Sequence, residues 1–400
     1  MTDWVQEASD WLVDETLRGT RADRLVRGLC EKMAEGGVPL VRVQIACGLL
    51  HPLFKAFSIC WNRDEGLVRD RFAYSSPTSE AWLVSPLKAV LDPGENPEIR
   101  ARLKLGEGIN QFPVLKEFKE RGYTDYYCTR KAFTWPEETA LANMDGCIAS
   151  FATDAPDGFT DRCLATIRRL FPRLAVAMKT LVREGTAQNL ASTYLGSQAG
   201  ERVLNGRIRR GEYDKIQAVV WYSDMRQSTE LADRMPPELF IERLNRYFEC
   251  TAGAVLDHGG EVLRFIGDAV LAIFPINGPG GAERASRMAV AAARDAFRHV
   301  ERINANLPKE DLVPIRFGLG LHVGDVMFGN IGVPERLEFS VIGACANETA
   351  RLEDLTKTLD RPVLASDAFA NLVDNSDWDP MGSHRLRGVS EPQPIYALVL

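Results

Sequence analysis

Nothing in this chain approaches the run of ~18 uninterrupted apolar residues that a membrane-crossing helix needs, so no membrane span is expected. The start, Met1-Thr2-Asp3-Trp4-Val5-Gln6-Glu7, lacks a basic segment followed by an apolar one, which argues against a secretory leader and for a cytoplasmic location. Eight cysteines are present, but none forms a CxxC pair or stands at a close spacing from histidine, so neither a disulfide frame nor a zinc site is indicated. Basic charge is not in excess: 48 Lys and Arg stand against 55 Asp and Glu, for a net charge of −7. A nucleic-acid partner or an anionic membrane surface is therefore not expected, and a small anionic substrate would need local positive charge or a metal ion. Repeats and low-complexity tracts are missing too. What remains is an ordinary globular composition, 45% hydrophobic and 26% charged, over 400 residues, a length that favours two domains.

The N-terminal half reads as an α+β module, assigned to residues 1–182. A helix is expected from Arg21 to Glu35, with strands near Leu40 to Gly48, Ala56 to Trp61 and Cys147 to Ala152. From Asp161 to about Gly200, Leu164, Ile167, Leu170, Leu174, Ala177 and Leu181 recur at spacings of three and four, which predicts a long amphipathic helix able to serve as a dimer stalk. A helical linker is assigned to 161–212, overlapping the end of the first module and closing with the basic segment Val203 to Glu212.

Over 213–400 the pattern is clearer. Ala218 to Ser223 is an apolar run of strand length ending at Asp224, followed by a helix from Ser228 to Asp257 that Gly259-Gly260 terminates. Val262 to Ile266 and Ala269 to Phe274 are strands joined only by Gly267-Asp268, a dipeptide suited to a tight hairpin. A helix from Ala282 to Ile303 and a strand from Arg316 to His322 complete a βαββαβ order, which predicts helices on one face of an antiparallel sheet.

That order makes neighbours of Asp224 and Asp268, far apart in sequence. Hard cations such as Mg²⁺ or Mn²⁺ are commonly held by one or two carboxylates together with substrate phosphates, so the pair suits a metal–triphosphate site. Taken singly, Asp224 reads as a helix N-cap region residue and Asp268 as a turn former; the motifs around them favour the metal site. Gln227, Ser228 and Thr229 open the following helix, where free N–H groups suit phosphate oxygens.

Four segments now stand in register: Val219 to Thr229 (VVWYSDMRQST), Gly259 to Phe274 (GGEVLRFIGDAVLAIF), Gly318 to Gly332 (GLGLHVGDVMFGNIG) and Glu338 to Leu352 (EFSVIGACANETARL). In order and spacing they resemble the class III adenylate and guanylate cyclase catalytic domain. The resemblance implies a ferredoxin-like βαββαβ domain acting as a head-to-tail homodimer, with two Mg²⁺ or Mn²⁺ ions per site. It puts the metals on Asp224, Asp268 and the main-chain carbonyl of Met225. Asn347 and Arg351, from the other protomer, fall on the transition-state positions, and their i, i+4 spacing agrees with two side chains pointing into one site. Arg336 and Arg387 are candidate triphosphate contacts. Gly329 to Gly332 reads as a turn, and His322 as structural.

Adenine-selective members carry lysine where Arg264 stands and aspartate or threonine where Ser340 stands, whereas guanine-selective members have glutamate at the first position. Arginine offers donors and serine can accept, so ATP is the expected substrate, with GTP, CTP or UTP as alternatives and a catalytically weak nucleotide-binding or dimerisation regulator as another. Residues 20 to 182 resemble a GAF-type sensor region, which implies a small-molecule effector. Tyr123, Tyr126, Tyr127, Phe133 and Trp135, with Trp61 and Phe72, line a ligand pocket on one reading and form plain core on the other. Cys128 beside Tyr127 reads as a buried thiol with redox activity as the alternative.

Overall fold

The computed structural model describes residues 3–92, 96–134, 145–307, 313–389 and 391–400, and Trp135 lies outside them. The chain divides into two compact units, Met1–Leu190 and Ala191–Leu400. Both are α+β, and no helix among the described residues is long and apolar enough to cross a membrane.

The first unit is built on a six-stranded antiparallel sheet in the order β3-β2-β1-β6-β5-β4, with β1 Arg42–Gly48, β2 Phe54–Asn62, β3 Gly66–Ala73, β4 Glu98–Ala101, β5 Asp125–Ala132 and β6 Gly146–Thr153. The alternation of a strand sends Cys147, Ala149 and Phe151 of β6 to one layer and Ile148 and Ala152 to the other. Helices Asp3–Leu17, Ala22–Glu35 and Asp161–Leu195 cover the first face. The apolar stripe expected of a stalk is consumed here: Leu164, Ile167, Leu170 and Leu174 are buried in this unit's own core, so any stalk has to use other positions of the helix, such as exposed Val176 and Tyr194. The same alternation separates the aromatic residues. Tyr127, Phe133 and Trp61 pack in one layer and Tyr123 and Tyr126 in the other, while Phe72 is exposed, so they form core and do not line one pocket. Cys128 is fully buried, and burial pushes its thiol up to about 12, as befits an inert thiol.

In the second unit, β7 Tyr213–Met225, β8 Glu261–Ile266, β9 Ala269–Pro275 and β10 Phe317–Val333 pair antiparallel in the order β10-β7-β9-β8, as the βαββαβ order requires. Helices Pro237–Asp257 and Gly281–Ala305 cover one face, packing on Val219, Trp221, Val270 and Ala272. The expectation of helices on one face is corrected by helix Ala344–Leu359, which covers the opposite face, where Cys345 joins Ala218, Val220 and Ile273. It lies beyond the βαββαβ core, following strand β11 Arg336–Ile342, and leads to β12 Val363–Ser366, which pairs parallel to β10 and makes the sheet mixed. Strands β13 Trp378–His384 and β14 Gln393–Leu398 complete the edge.

Three local readings change. The helix expected from Ser228 to Asp257 is two, Ser228–Arg234 and Pro237–Asp257, because Pro236 offers no N–H to continue the first while Pro237 starts the second. Gly329 to Gly332 is strand, not turn: Asn330 exchanges main-chain hydrogen bonds with Gly211 and Glu212, and the bend into β11 comes after Val333. Residues 197–204, assigned from sequence to the linker, form a helix inside the second unit. Glu261 accepts from the main-chain N–H groups of Gln198 (3.1 Å) and Ala199 (3.3 Å), and Ala199 is buried with Ala218.

Candidate active site

Asp224 stands at the end of β7, opposite Gly318 of β10 and Ala269 of β9 in the ladder. Asp268 occupies the two-residue turn between β8 and β9, where Gly267 takes the positive φ (61°) that the tight turn needs. The Met225 N–H points to the Asp268 carbonyl (3.4 Å), which ties the strand end to the hairpin tip. The Asp268 side chain is near enough to act on Asp224, whose carboxyl is raised above its ordinary value by burial first and by the Asp268 charge second. Two acidic groups so close, one of them half-buried, create an excess of negative charge that a cation relieves.

Among the described residues no group of three or more His, Cys, Asp or Glu is placed to hold a metal. Two carboxylates therefore supply the protein's acidic share. That donor set fits Mg²⁺ or Mn²⁺, which take their remaining oxygens from phosphate, water and main-chain carbonyls. Met225 itself buries its side chain in the core. Gln227 adopts a left-handed conformation (φ 59°) directly before helix Ser228–Arg234, so Gln227, Ser228 and Thr229 turn the chain sharply beside Asp224.

Helix Ala344–Leu359 buries Cys345, Thr349, Leu352, Glu353 and Thr356, which leaves Asn347 exposed and Arg351 half-exposed, one turn apart off the buried face. No hydrogen bond or ion pair among the described residues joins either to Asp224 or Asp268 of the same chain. The Arg351 guanidinium instead lies against the turn between β13 and β14. A Cβ built on Gly388 (φ 76°) would stand 3.4 Å from its Nη2, so this turn brings the exposed Arg387 next to Arg351. Arg336 is exposed at the start of β11.

Arg264 of β8 and Glu338 of β11 form an ion pair with Nε 3.0 Å from Oε1, an electrostatic contact whose N–H is not well aligned with the oxygen. Glu338 and Ser340 share one face of β11, and Ser340 is buried. His322 contacts Ser366 Oγ (2.6 Å) and Glu348 (3.3 Å), a structural placement in which burial lowers its pKa.

Sequence reasoning missed a group behind the aspartates. Arg226, directly after Met225, reaches Glu353 Oε1 (3.2 Å) and donates to Thr356 Oγ1, and Lys357 Nζ lies 3.5 Å from Asp224 Oδ2. Glu353 is buried, which together with nearby Asp224 and Asp354 pushes it up to about 7 against the opposing pull of Lys357 and Arg226. The i, i+4 spacing of Glu353 and Lys357 was the available signal, but on its own it reads as an ordinary surface pair.

The sequence profile described as the adenylate and guanylate cyclase catalytic domain matches residues 210–398. Residues 210–398 belong to that family. The chain is 30% identical over 211 residues to an uncharacterized protein of Mycobacterium tuberculosis, covering 52% of this chain and 36% of that one. It is 29% identical over 226 residues to adenylate cyclase 1 of Rhizobium meliloti, covering 55% of this chain and 30% of that one. This chain thus matches about a third of the length of those relatives. Among solved structures, a bacterial light-regulated adenylyl cyclase aligns with a TM-score of 0.47 at 21% identity, over 57% of this chain and 64% of that one. The guanylyl cyclase Cya2 aligns at 0.40 and 26% identity, over 46% and 93%. The matched residues 210–398 include the aspartate pair, the β8–β9 hairpin and helix Ala344–Leu359.

Proposed function

We propose that the chain is a nucleotidyl cyclase that closes a nucleoside triphosphate into its 3′,5′-cyclic monophosphate. The bond formed joins the ribose 3′-oxygen to the α-phosphorus, the bond broken links the α-phosphorus to the bridging oxygen of pyrophosphate, and the 3′-hydroxyl proton is released. The observation that carries this reading is the meeting of the Asp224 and Asp268 carboxylates at the strand end and hairpin tip, within a cyclase-family segment.

Asp224, Asp268 and the Met225 carbonyl would hold two Mg²⁺ or Mn²⁺ ions, which when bound supply Lewis acidity to the 3′-hydroxyl and charge neutralisation to the leaving group. The chain's own groups do the rest. The N–H groups from Gln227 to Thr229 face the phosphates beside Asp224. Asn347 orients the ribose, and Arg351, permanently charged and a paired donor, holds the α-phosphoryl oxygens as negative charge grows on them. Arg387, set beside Arg351 by the Gly388 turn, and Arg336 receive the triphosphate. The family resemblance gives Asn347 and Arg351 to the site of a second copy in a homodimer, and the lack of any hydrogen bond or ion pair from them to Asp224 or Asp268 among the described residues is compatible with that arrangement. The first unit acts as a GAF-like regulatory domain with a small-molecule effector.

ATP is the substrate this site fits first: Arg264 donates to the adenine ring nitrogen and the Ser340 hydroxyl accepts from the exocyclic amine. GTP is the second reading, and the Arg264–Glu338 pair favours it, because Glu338 adds a carboxylate acceptor for the N–H groups of guanine. The test is incubation of the purified chain with Mn²⁺ and ATP, GTP, CTP or UTP in turn, with products separated by chromatography. One cyclic nucleotide is expected to dominate, and Asp224→Ala is expected to abolish it. If no nucleotide is cyclised and Asp224→Ala alters nothing measurable, the enzyme reading is wrong.

A further inference from the structure

The strand register puts Asp224 on the sheet face that helix Ala344–Leu359 covers, directly across from Gly318. That helix crosses closely because Gly318 and Gly320 have no side chains beneath it: a Cβ on Gly320 would lie 2.3 Å from the Thr349 carbonyl, and one on Gly318 would lie 2.4 Å from Glu353 Oε1. Its C-terminal half therefore hangs over the end of β7. There Lys357 Nζ stands among three carboxylates, 3.5 Å from Asp224, 3.1 Å from Asp354 and 3.8 Å from Glu353. Arg226 holds Glu353 and Thr356, on the same turn as Lys357, from the other side, while the Lys357 side chain is about half exposed.

We infer that Lys357 is the resident counter-ion of the aspartate pair: its ammonium neutralises Asp224 in the metal-free protein and has to leave that carboxylate when a divalent cation binds. This rests on the reading of Asp224 and Asp268 as metal ligands. The physical argument is competition. A divalent ion and an ammonium seek the same carboxylate oxygen, and whatever the ammonium contributes to the metal-free state is subtracted from the affinity for the ion. Asp354, nearer to Lys357 than Asp224 is, provides the place to which the ammonium withdraws. Lys357 is thus a positioning residue that sets the concentration at which the site loads with metal.

The helix also gives the displacement a direction. Asn347 and Arg351 lie on its N-terminal half and serve the facing site of the proposed dimer, whereas Glu353 and Lys357 lie on its C-terminal half against the aspartates of their own chain. One rigid element therefore touches both sites.

The experiment is Mn²⁺ titration of the full chain without nucleotide, reading free Mn²⁺ by electron paramagnetic resonance, for wild type, Lys357→Met, Lys357→Arg and Asp224→Asn. Lys357→Met is expected to bind Mn²⁺ roughly two- to fivefold more tightly than wild type, the range corresponding to a partly exposed ion pair. Lys357→Arg, which keeps the positive charge, is expected to stay within about twofold of wild type. Thermal unfolding monitors the fold of each variant: Lys357→Met is expected to melt below wild type without metal and to regain the difference at saturating Mn²⁺. Unchanged or weaker Mn²⁺ binding by folded Lys357→Met, with Asp224-dependent binding intact in wild type, overturns the counter-ion role alone. Loss of any difference between wild type and Asp224→Asn overturns the metal-site reading beneath it.

Discussion

Glu353 shows how a single buried carboxyl next to the proposed catalytic centre leaves a mark on stability. Its pKa of about 7 in the folded chain stands above the ordinary 4.5, chiefly because burial disfavours the charge. Between those two values the folded state binds the proton that the unfolded state has released, so this residue's contribution to stability is fully present below pH 4.5 and is lost as pH rises through 7. With the opposing pull of Lys357 and Arg226 already included in that value, the loss amounts to roughly 3 kcal/mol as an upper figure. Denaturant unfolding of wild type and Glu353→Gln from pH 5 to pH 8 checks this: the stability of wild type relative to the variant is expected to decline across that interval. A flat difference means the carboxyl is ionised throughout. This residue was not legible from sequence, because an Asp or Glu on an amphipathic helix is usually solvated, and only the close crossing of the helix over β10 buries it.

At the scale of elements, the crossing itself depends on glycine. Gly320 leaves the space that the Thr349 carbonyl fills, and backbone atoms cannot swing aside as a flexible side chain does. Gly320→Ala is expected to destabilise the second unit by roughly 2–4 kcal/mol, read as a lower urea midpoint with an unchanged slope. Activity should fall by more than the population of folded protein, because a displaced helix moves Asn347 and Arg351 together. The hairpin and the two long helices were legible: apolar stripes, the terminating glycines and the Gly-Asp turn act locally, so neighbouring residues determine them. The break at Pro236-Pro237 was available in the same local chemistry. The continuation of β10 through Gly329 to Gly332 was not, since glycine-rich sequence favours turns until a partner segment, here 211–213, pairs with it.

For the whole molecule, the proposed division of each site between two protomers has a measurable consequence. If each site takes its carboxylates from one protomer and its Asn–Arg pair from the other, two inactive variants repair one another. Asp224→Ala mixed with Arg351→Ala in equal amounts, after subunit exchange, is expected to recover about a quarter of wild-type activity, since half the dimers are mixed and each holds one intact site. Recovery near zero, with exchange confirmed by differential labelling, assigns all four residues to one chain. The division into two units follows from size and from two separate cores, and it leaves Ser197–Leu204 with the second unit because a carboxylate, Glu261, caps that helix.

Sequence alone determined the element order of the cyclase segment, the positions of Asp224 and Asp268 at element ends, and the one-turn pairing of Asn347 with Arg351, because each depends on periodicity, turn chemistry or motif spacing read along the chain. Tertiary structure alone decided that the two carboxylates meet, that Glu338 stands against Arg264, and that Lys357 and Glu353 close over Asp224 from a helix more than a hundred residues away. Those outcomes depend on sheet register and on how near a helix can approach a strand, and such distances are summed over many contacts that no local stretch of sequence contains.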